Sequence, residues 1–325
     1  MPSLRIVGIP DIMKKFVWMA ALTVALCATV ASCGDDEPDN GANVTASAEV
    51  SDFGGERLIS IDEGIDYSYN SDGTLRQVKG LGLNMIFDYR KGIISYSEGD
   101  KNQSVTFTTN SKGYITGLSS SSTEKDGYVT YNYTVSYEFE YNGADHLTYA
   151  SVNQVNTDTD SQKLDEISMS WKFFWNGDLL SKIEIAGQSN GIEGDDQWNY
   201  TNNFSYHESV ENRYMQYTMG VVENTELTGA VQIAMYAGLF GKGPSKYPTQ
   251  VYGSNEINFD YMINSKGLVE AEDIKYEDDN FSFPINYIYS SSTKANARNA
   301  GSASRRMKAQ QGDIRNNIGL FRRAR

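Results

Sequence analysis

Thirteen residues, Val129 to Tyr141, alternate without a break. Tyr131, Tyr133, Val135, Tyr137, Phe139 and Tyr141 fall on one side, and Asn132, Thr134, Ser136, Glu138 and Glu140 on the other. A two-residue period over that length is a long β-strand with one aromatic face and one wet face. Trp171-Lys172-Phe173-Phe174-Trp175 begins in the same way. With 22 Tyr and 13 Phe, aromatic and β-branched residues prevail where a helical chain would repeat Leu, Ala and Glu. The body of the chain is therefore all-β.

A short unit recurs along it. Tyr67-Ser-Tyr-Asn70-Ser-Asp-Gly73 is echoed by Phe107-Thr-Thr-Asn110-Ser-Lys-Gly113 and by Tyr261-Met-Ile-Asn264-Ser-Lys-Gly267. Degenerate forms stand at Tyr141-Asn142-Gly143 and Trp175-Asn176-Gly177. In such a unit Asn opens a type I turn with its side chain, and Gly takes the positive-φ position that makes the following bulge. Steps of 40, 32 and 34 residues from Asn70 to Asn110, Asn142 and Asn176 suit hairpins laid down in series. An antiparallel meander is the economical topology. One segment breaks the pattern. Thr228 to Phe240 reads as a short apolar helix, ended by Gly241 and Pro244, that plugs an open end or covers a sheet face.

The N-terminus carries an address. Met13-Lys14-Lys15, a better start than Met1, precedes an apolar run from Phe16 to Val30 and then Ala31-Ser32-Cys33, the layout of a secretory signal. That run is 15 residues, short of the ~20 that a membrane-spanning helix needs. Val30-Ala-Ser-Cys33 resembles a bacterial lipobox, which implies cleavage before Cys33 and lipidation of its thiol. Asp35, Asp36 and Glu37 directly behind it resemble the acidic export tag of surface lipoproteins in the Bacteroidota. These features predict a lipid anchor in the outer membrane and display on the cell surface. With Cys27 removed and Cys33 lipidated, the mature chain is expected to hold together without a disulfide.

The expected domain plan is a signal over 1–33, a flexible tether over 34–50, a β domain over 51–290 and a disordered basic tail over 291–325. Charge is divided unevenly among them. The whole chain is at −14; residues 1–33 contribute +2 and residues 291–325 contribute +8, which leaves −24 on the body. A body so acidic argues against nucleic acid or anionic lipid as its partner. The alternative for the basic tail is an electrostatic arm that folds back on that body.

The lipobox, the aromatic-Asn-x-x-Gly hairpins and the run Gly238-Leu-Phe-Gly-Lys-Gly-Pro-Ser-Lys-Tyr-Pro248 together resemble a Bacteroidota lipoprotein family, domain of unknown function 4595. The hairpin units are also similar to those of YD-repeat proteins. The resemblance covers roughly residues 55–290 and implies a porin-like curled or closed sheet, a barrel or half-barrel; it supplies no catalytic residues. Asp260, Glu270, Glu272 and Asp273 could not all face lipid, so a water-soluble barrel is expected over a membrane-spanning one.

Little in the chain speaks for catalysis. The only histidines, His146 and His207, lack partners at metal spacing, and His146, in a turn, is expected to be exposed. Gly241-Lys242 lacks the glycine spacing of a phosphate loop. Asn156-Thr-Asp158-Thr-Asp160 alternates oxygens as calcium loops do, but Ser161 and Ile167 stand where Gly and a bidentate Glu belong. Adjacent acids (Asp195-Asp196, Glu272-Asp273, Asp278-Asp279) point to opposite faces of a strand and cannot pair for glycoside hydrolysis. No metal or cofactor is expected. Trp171 and Trp175 belong to the core; Trp198, with Asp196 and Tyr200 beside it, has the make-up of a sugar-binding platform. The sequence thus points to a non-catalytic surface lipoprotein that binds a glycan or an envelope partner. An accessory subunit of an outer-membrane complex and a glycan-processing enzyme are the alternatives.

Overall fold

The computed structural model describes residues 44–291 apart from 63, 81, 99–100, 127–128, 158–162, 192–193, 219–227, 255 and 277–280. Cys33, Asp35, Asp36 and Glu37 lie outside the described residues, as does the basic segment beyond Ser291. Sixteen antiparallel strands succeed one another around a closed barrel, with the last bonded to the first. On the low side stand β1 (Leu58–Ile61), β2 (Ile65–Tyr69), β3 (Leu75–Gly80), β4 (Leu83–Asp88), β5 (Ile93–Glu98) and β6 (Lys101–Thr109). A tall wall follows in β7 (Ile115–Asp126), β8 (Val129–Tyr141), β9 (Leu147–Thr157), β10 (Lys163–Asn176), β11 (Leu179–Gly191) and β12 (Gly194–Glu211). The circle closes through β13 (Lys246–Gly253), β14 (Ile257–Ile263), β15 (Val269–Tyr276) and β16 (Phe281–Tyr289). The all-β meander and its curling into a barrel are as the sequence predicts, and the sheet closes fully.

The alternation read in β8 is the alternation of the wall. Val135, Tyr137 and Phe139 are buried inside, while Thr134, Ser136, Glu138 and Glu140 are exposed outside. Asp66, Lys79, Lys172, Asp260 and Lys275 likewise stand exposed on other strands. Outside wet and inside dry is the reverse of a membrane-spanning barrel, whose outer band must be apolar.

Sixteen strands ordinarily enclose a channel. Here the long connection from β12 to β13 turns back into the interior and carries helix α1 (Thr228–Tyr236), the apolar segment foreseen as a plug. Every residue from Ala230 to Gly241 is buried. Tyr67 donates its hydroxyl to the Ile233 carbonyl at 3.3 Å, and Phe240 meets Phe139 edge-on with centroids 4.7 Å apart. Two gaps beside this packing each admit about 10 Å³, room for one water at most.

The two ends of the barrel differ. At the plugged end lie the Asn turns. Asn70, Asn110 and Asn264 each accept from the backbone of the Gly three residues on, and Gly73, Gly113 and Gly267 have φ of 88°, 93° and 85°. In the fourth turn Asp145, not Gly143, takes that position, with φ 71°. Residues 44–57 enter here and pack under the helix: Ser51 Oγ donates to the Ala237 carbonyl at 2.7 Å, and Val50 and Phe53 are buried. The chain also leaves here. Glu56, at the β1–β16 seam, is bonded to Lys266 and accepts from Ser290 Oγ and the Ser291 amide at 2.8 Å each. Burial lifts its carboxyl, but these hydrogen bonds outweigh burial and hold it at about 2.

The opposite end is a mouth, raised on one side. Pairing of β6 with β7 stops at Val105–Ser120, and pairing of β12 with β13 stops at Asn202–Gly253, so β7 to β12 continue beyond their neighbours. Counting the connections and the three residues at each strand end, the mouth carries seventeen carboxylates and five lysines in sequence, against nine carboxylates and eight Lys or Arg at the plugged end.

Candidate functional site

The tall wall's inner face is graded from floor to rim. Cross-strand rows follow directly from the register. The lowest of three, Phe139–Ala150–Trp171–Ile185–Tyr200, is aromatic and aliphatic. Above it runs Tyr137–Val152–Met169–Gly187–Trp198, and above that Val135–Gln154–Ile167–Ser189–Asp196. Polar groups therefore enter at the third row. Gln154 and Asn156, on the same inward side of β9, are 7% and 4% exposed, and Gln154 Nε2 lies 3.5 Å from Asn156 Oδ1.

The three residues singled out in sequence come together here. Asp196, Trp198 and Tyr200 occupy alternate positions of β12 and share the parity of buried Phe204, so all three face the interior, each partly exposed. Trp198 and Tyr200 pack against the core beneath them. The Trp198 indole lies over Gly187, its direct partner on β11, where a Cβ would overlap the ring. Asp196 Oδ1 accepts from the Gln197 amide at 2.8 Å. Next down β12, Asn202 is 6% exposed, and its Oδ1 has no hydrogen-bond partner among the described residues. A carboxylate, two aromatic faces and an open amide acceptor thus line one strand. Sequence reading missed Gly187 and Asn202; parity with Trp198 could have found the second, but nothing local marks the first.

Gly187→Val fills the space under the indole and is expected to drive Trp198 toward solvent. The tryptophan emission should shift to the red, for a stability loss of about 1–3 kcal/mol. An unchanged emission maximum would show that the indole does not depend on Gly187.

His146 is not exposed, as its turn position suggested, but fully buried. Its ring stacks on Trp175 at 4.0 Å and 15°, with Nδ1 3.0 Å from the Lys242 carbonyl and Nε2 2.9 Å from Asp178 Oδ1. Asp145 beside it pairs with Lys112 at 2.6 Å and Lys242 at 3.3 Å. This cluster ties the β8–β9 and β10–β11 turns to the segment after the plug, and both ring nitrogens are engaged. Trp171 is fully buried, and Trp175, half-buried, donates Nε1–H to the Leu147 carbonyl at 2.8 Å. The side chain of His207 and the residues Asp158, Asp160, Asp278 and Asp279 lie outside the described residues.

Glu272 is the other group that sequence left undistinguished. It faces inward on β15, 1% exposed, while Asp273 turns outward, as adjacent strand residues must. The Tyr287 hydroxyl stands 2.8 Å from Glu272 Oε2 and 3.0 Å from the Thr218 carbonyl, with one proton for two acceptors. A protonated Glu272 resolves that, donating to Tyr287 while Tyr287 donates to Thr218. Burial pushes the carboxyl up to about 8, only partly offset by the hydroxyls of Tyr287, Tyr261 and Thr218. Asp273, on the other face of the strand, cannot pair with Glu272 for glycoside hydrolysis.

Two solved structures are similar to this chain. One is described as a porin-like protein from Bacteroides vulgatus, at 12% identity over 72% of this chain and 99% of that one, with a TM-score of 0.46. The other, described as a porin-like protein from Bacteroides uniformis, shows 15% identity over 69% of this chain and 89% of that one, again at 0.46. No family model matches the chain, and no curated protein matches it.

Proposed function

We propose that this protein is a non-catalytic, lipid-anchored binding barrel of the domain of unknown function 4595 type. It is displayed on the outer-membrane surface and holds a glycan or an envelope partner in its mouth. The carrying observation is the inversion of the barrel: wet outside, plugged and dry below, and lined above by Asp196, Trp198 and Tyr200. Its orientation follows from where the chain enters. Residues 44–57 lie under the plug, so a lipid on Cys33 holds the plugged end toward the membrane and turns the mouth outward. The charge agrees, since the near-neutral end then meets the anionic surface and the acidic mouth faces away from it.

Cys33→Ala is expected to move the protein from the membrane fraction to the soluble one; continued sedimentation with the envelope would refute the anchor. Replacing Asp35, Asp36 and Glu37 with Ala should leave lipidation intact and hide the body from protease added to whole cells. Binding is tested with residues 34–290 against envelope and dietary polysaccharides. The expected result is a saturable shift in tryptophan emission, lost in Trp198→Ala and without new reducing ends. Silence across the panel would remove the glycan and direct the search to protein partners.

A further inference from the structure

The mouth has a charge preference. Its connections and the three residues at each strand end carry a formal −12, whereas those of the plugged end sum to −1, so the field of this body is concentrated at one opening. Inside it, Asp196, Trp198 and Tyr200 stand at alternate positions of one inward face. A carboxylate beside aromatic faces is the arrangement that holds an ammonium or guanidinium group. One register step below Tyr200, beneath the lowest of these rows, Asn202 is 94% buried and its Oδ1 has no hydrogen-bond partner among the described residues. Neutral sugars would fit the aromatic faces but leave the charge unused.

One segment of this chain has the complementary chemistry. Residues 292–325 hold nine Lys or Arg against Asp313, and Phe321 is followed by Arg322, Arg323 and Arg325. The segment departs at Ser291, fixed to Glu56 at the plugged end. Its 34 residues span up to about 110 Å when extended, whereas the longest strand, 18 residues, measures about 60 Å. Reach over the rim is therefore ample.

We infer that the mouth is a receptor for a basic extended segment, and that the chain's own residues 292–325 occupy it. The segment's phenylalanine and arginines are the chemistry that a carboxylate beside two aromatic faces receives. External ligands of the mouth then compete with the segment. The inference rests on the proposed reading of the mouth as a binding site.

The test uses a fluorescein-labelled peptide of residues 292–325 titrated with residues 34–291, which include the complete barrel, and read by anisotropy. Saturable binding is expected, weakened at least about tenfold by raising salt from ~50 to ~300 mM. Asp196→Asn and Trp198→Ala should each weaken it at least about fivefold, with circular dichroism confirming the fold. Removing 292–325 from the full chain should shift Trp198 emission. Peptide binding indifferent to both substitutions would place the segment elsewhere and overturn the inference. If a neutral oligosaccharide shifts Trp198 emission while the peptide does not bind, the inference falls and the mouth stands. If neither probe acts at Trp198, both fall.

Discussion

Glu272→Gln is expected to stabilise the barrel at pH 9 by about 3 kcal/mol and to leave it nearly unchanged at pH 4. The side chain is inside the wall, its carboxyl held at about 8 against an ordinary 4.5. Between those values the unfolded chain gives up the proton and the folded barrel keeps it. Stability therefore falls as pH rises through that window and levels off above it. The gap sets an upper bound of about 5 kcal/mol at ~1.4 kcal/mol per pH unit, and local relaxation lowers the expected effect. Gln keeps the shape, can donate its Nε2–H to Tyr287 as the protonated acid does, and carries no charge to bury. Urea unfolding at pH 5, 7 and 9 reads the effect directly. The wild-type midpoint should decline across the series by more than that of the variant. Two parallel profiles would mean that Glu272 is not the group whose ionisation loads the interior.

What the sequence disclosed, and what it did not, divides along the range of the interactions. Val129 to Tyr141 announced its own strand because a two-residue period is set by the backbone alone, and the strand spans those residues. The turns at Asn70, Asn110 and Asn264 were equally local, with side chain and glycine four positions apart or fewer. Asn142 showed the limit of the pattern: Asp145 adopts φ 71° there, and Gly143 beside it misled. Composition singled out Asp196, Trp198 and Tyr200, but that they share one face, and that this face is inside, depended on the β12 register and on closure of all sixteen strands. His146 escaped because its burial comes from Trp175 and Lys242, one of them 96 residues away. Glu272 escaped for the same reason, since only folding brings Tyr287 and Thr218 to it. Gly187 matters for an indole on the neighbouring strand, and no local signal records that.

Gly238→Ala tests the plug on which the mouth depends. Gly238 follows α1 with φ 85°; its amide bonds the Met235 carbonyl at 2.9 Å, and the Leu239 amide bonds Ala234 at 3.1 Å. This is the two-bond helix end that a left-handed residue makes possible. The chain then locks into the wall, with the Ile115 amide on the Leu239 carbonyl at 2.9 Å and Phe240 against Phe139. A Cβ at Gly238 would overlap the Val50 carbonyl oxygen, which belongs to the segment sealing the plugged end. Backbone cannot yield there without lifting either the helix end or residues 50–53. The expected cost is about 4 kcal/mol, of which about 1 belongs to the left-handed conformation itself. Gly55→Ala supplies the comparison, since Gly55 has φ 84° but open space around its would-be Cβ. It should lose only about 1 kcal/mol. Hydrogen exchange across 228–240 should accelerate in the first variant and not in the second. Equal losses in the two would show that the plug is not wedged against Val50, and the mouth would then lack the fixed floor that its binding role requires.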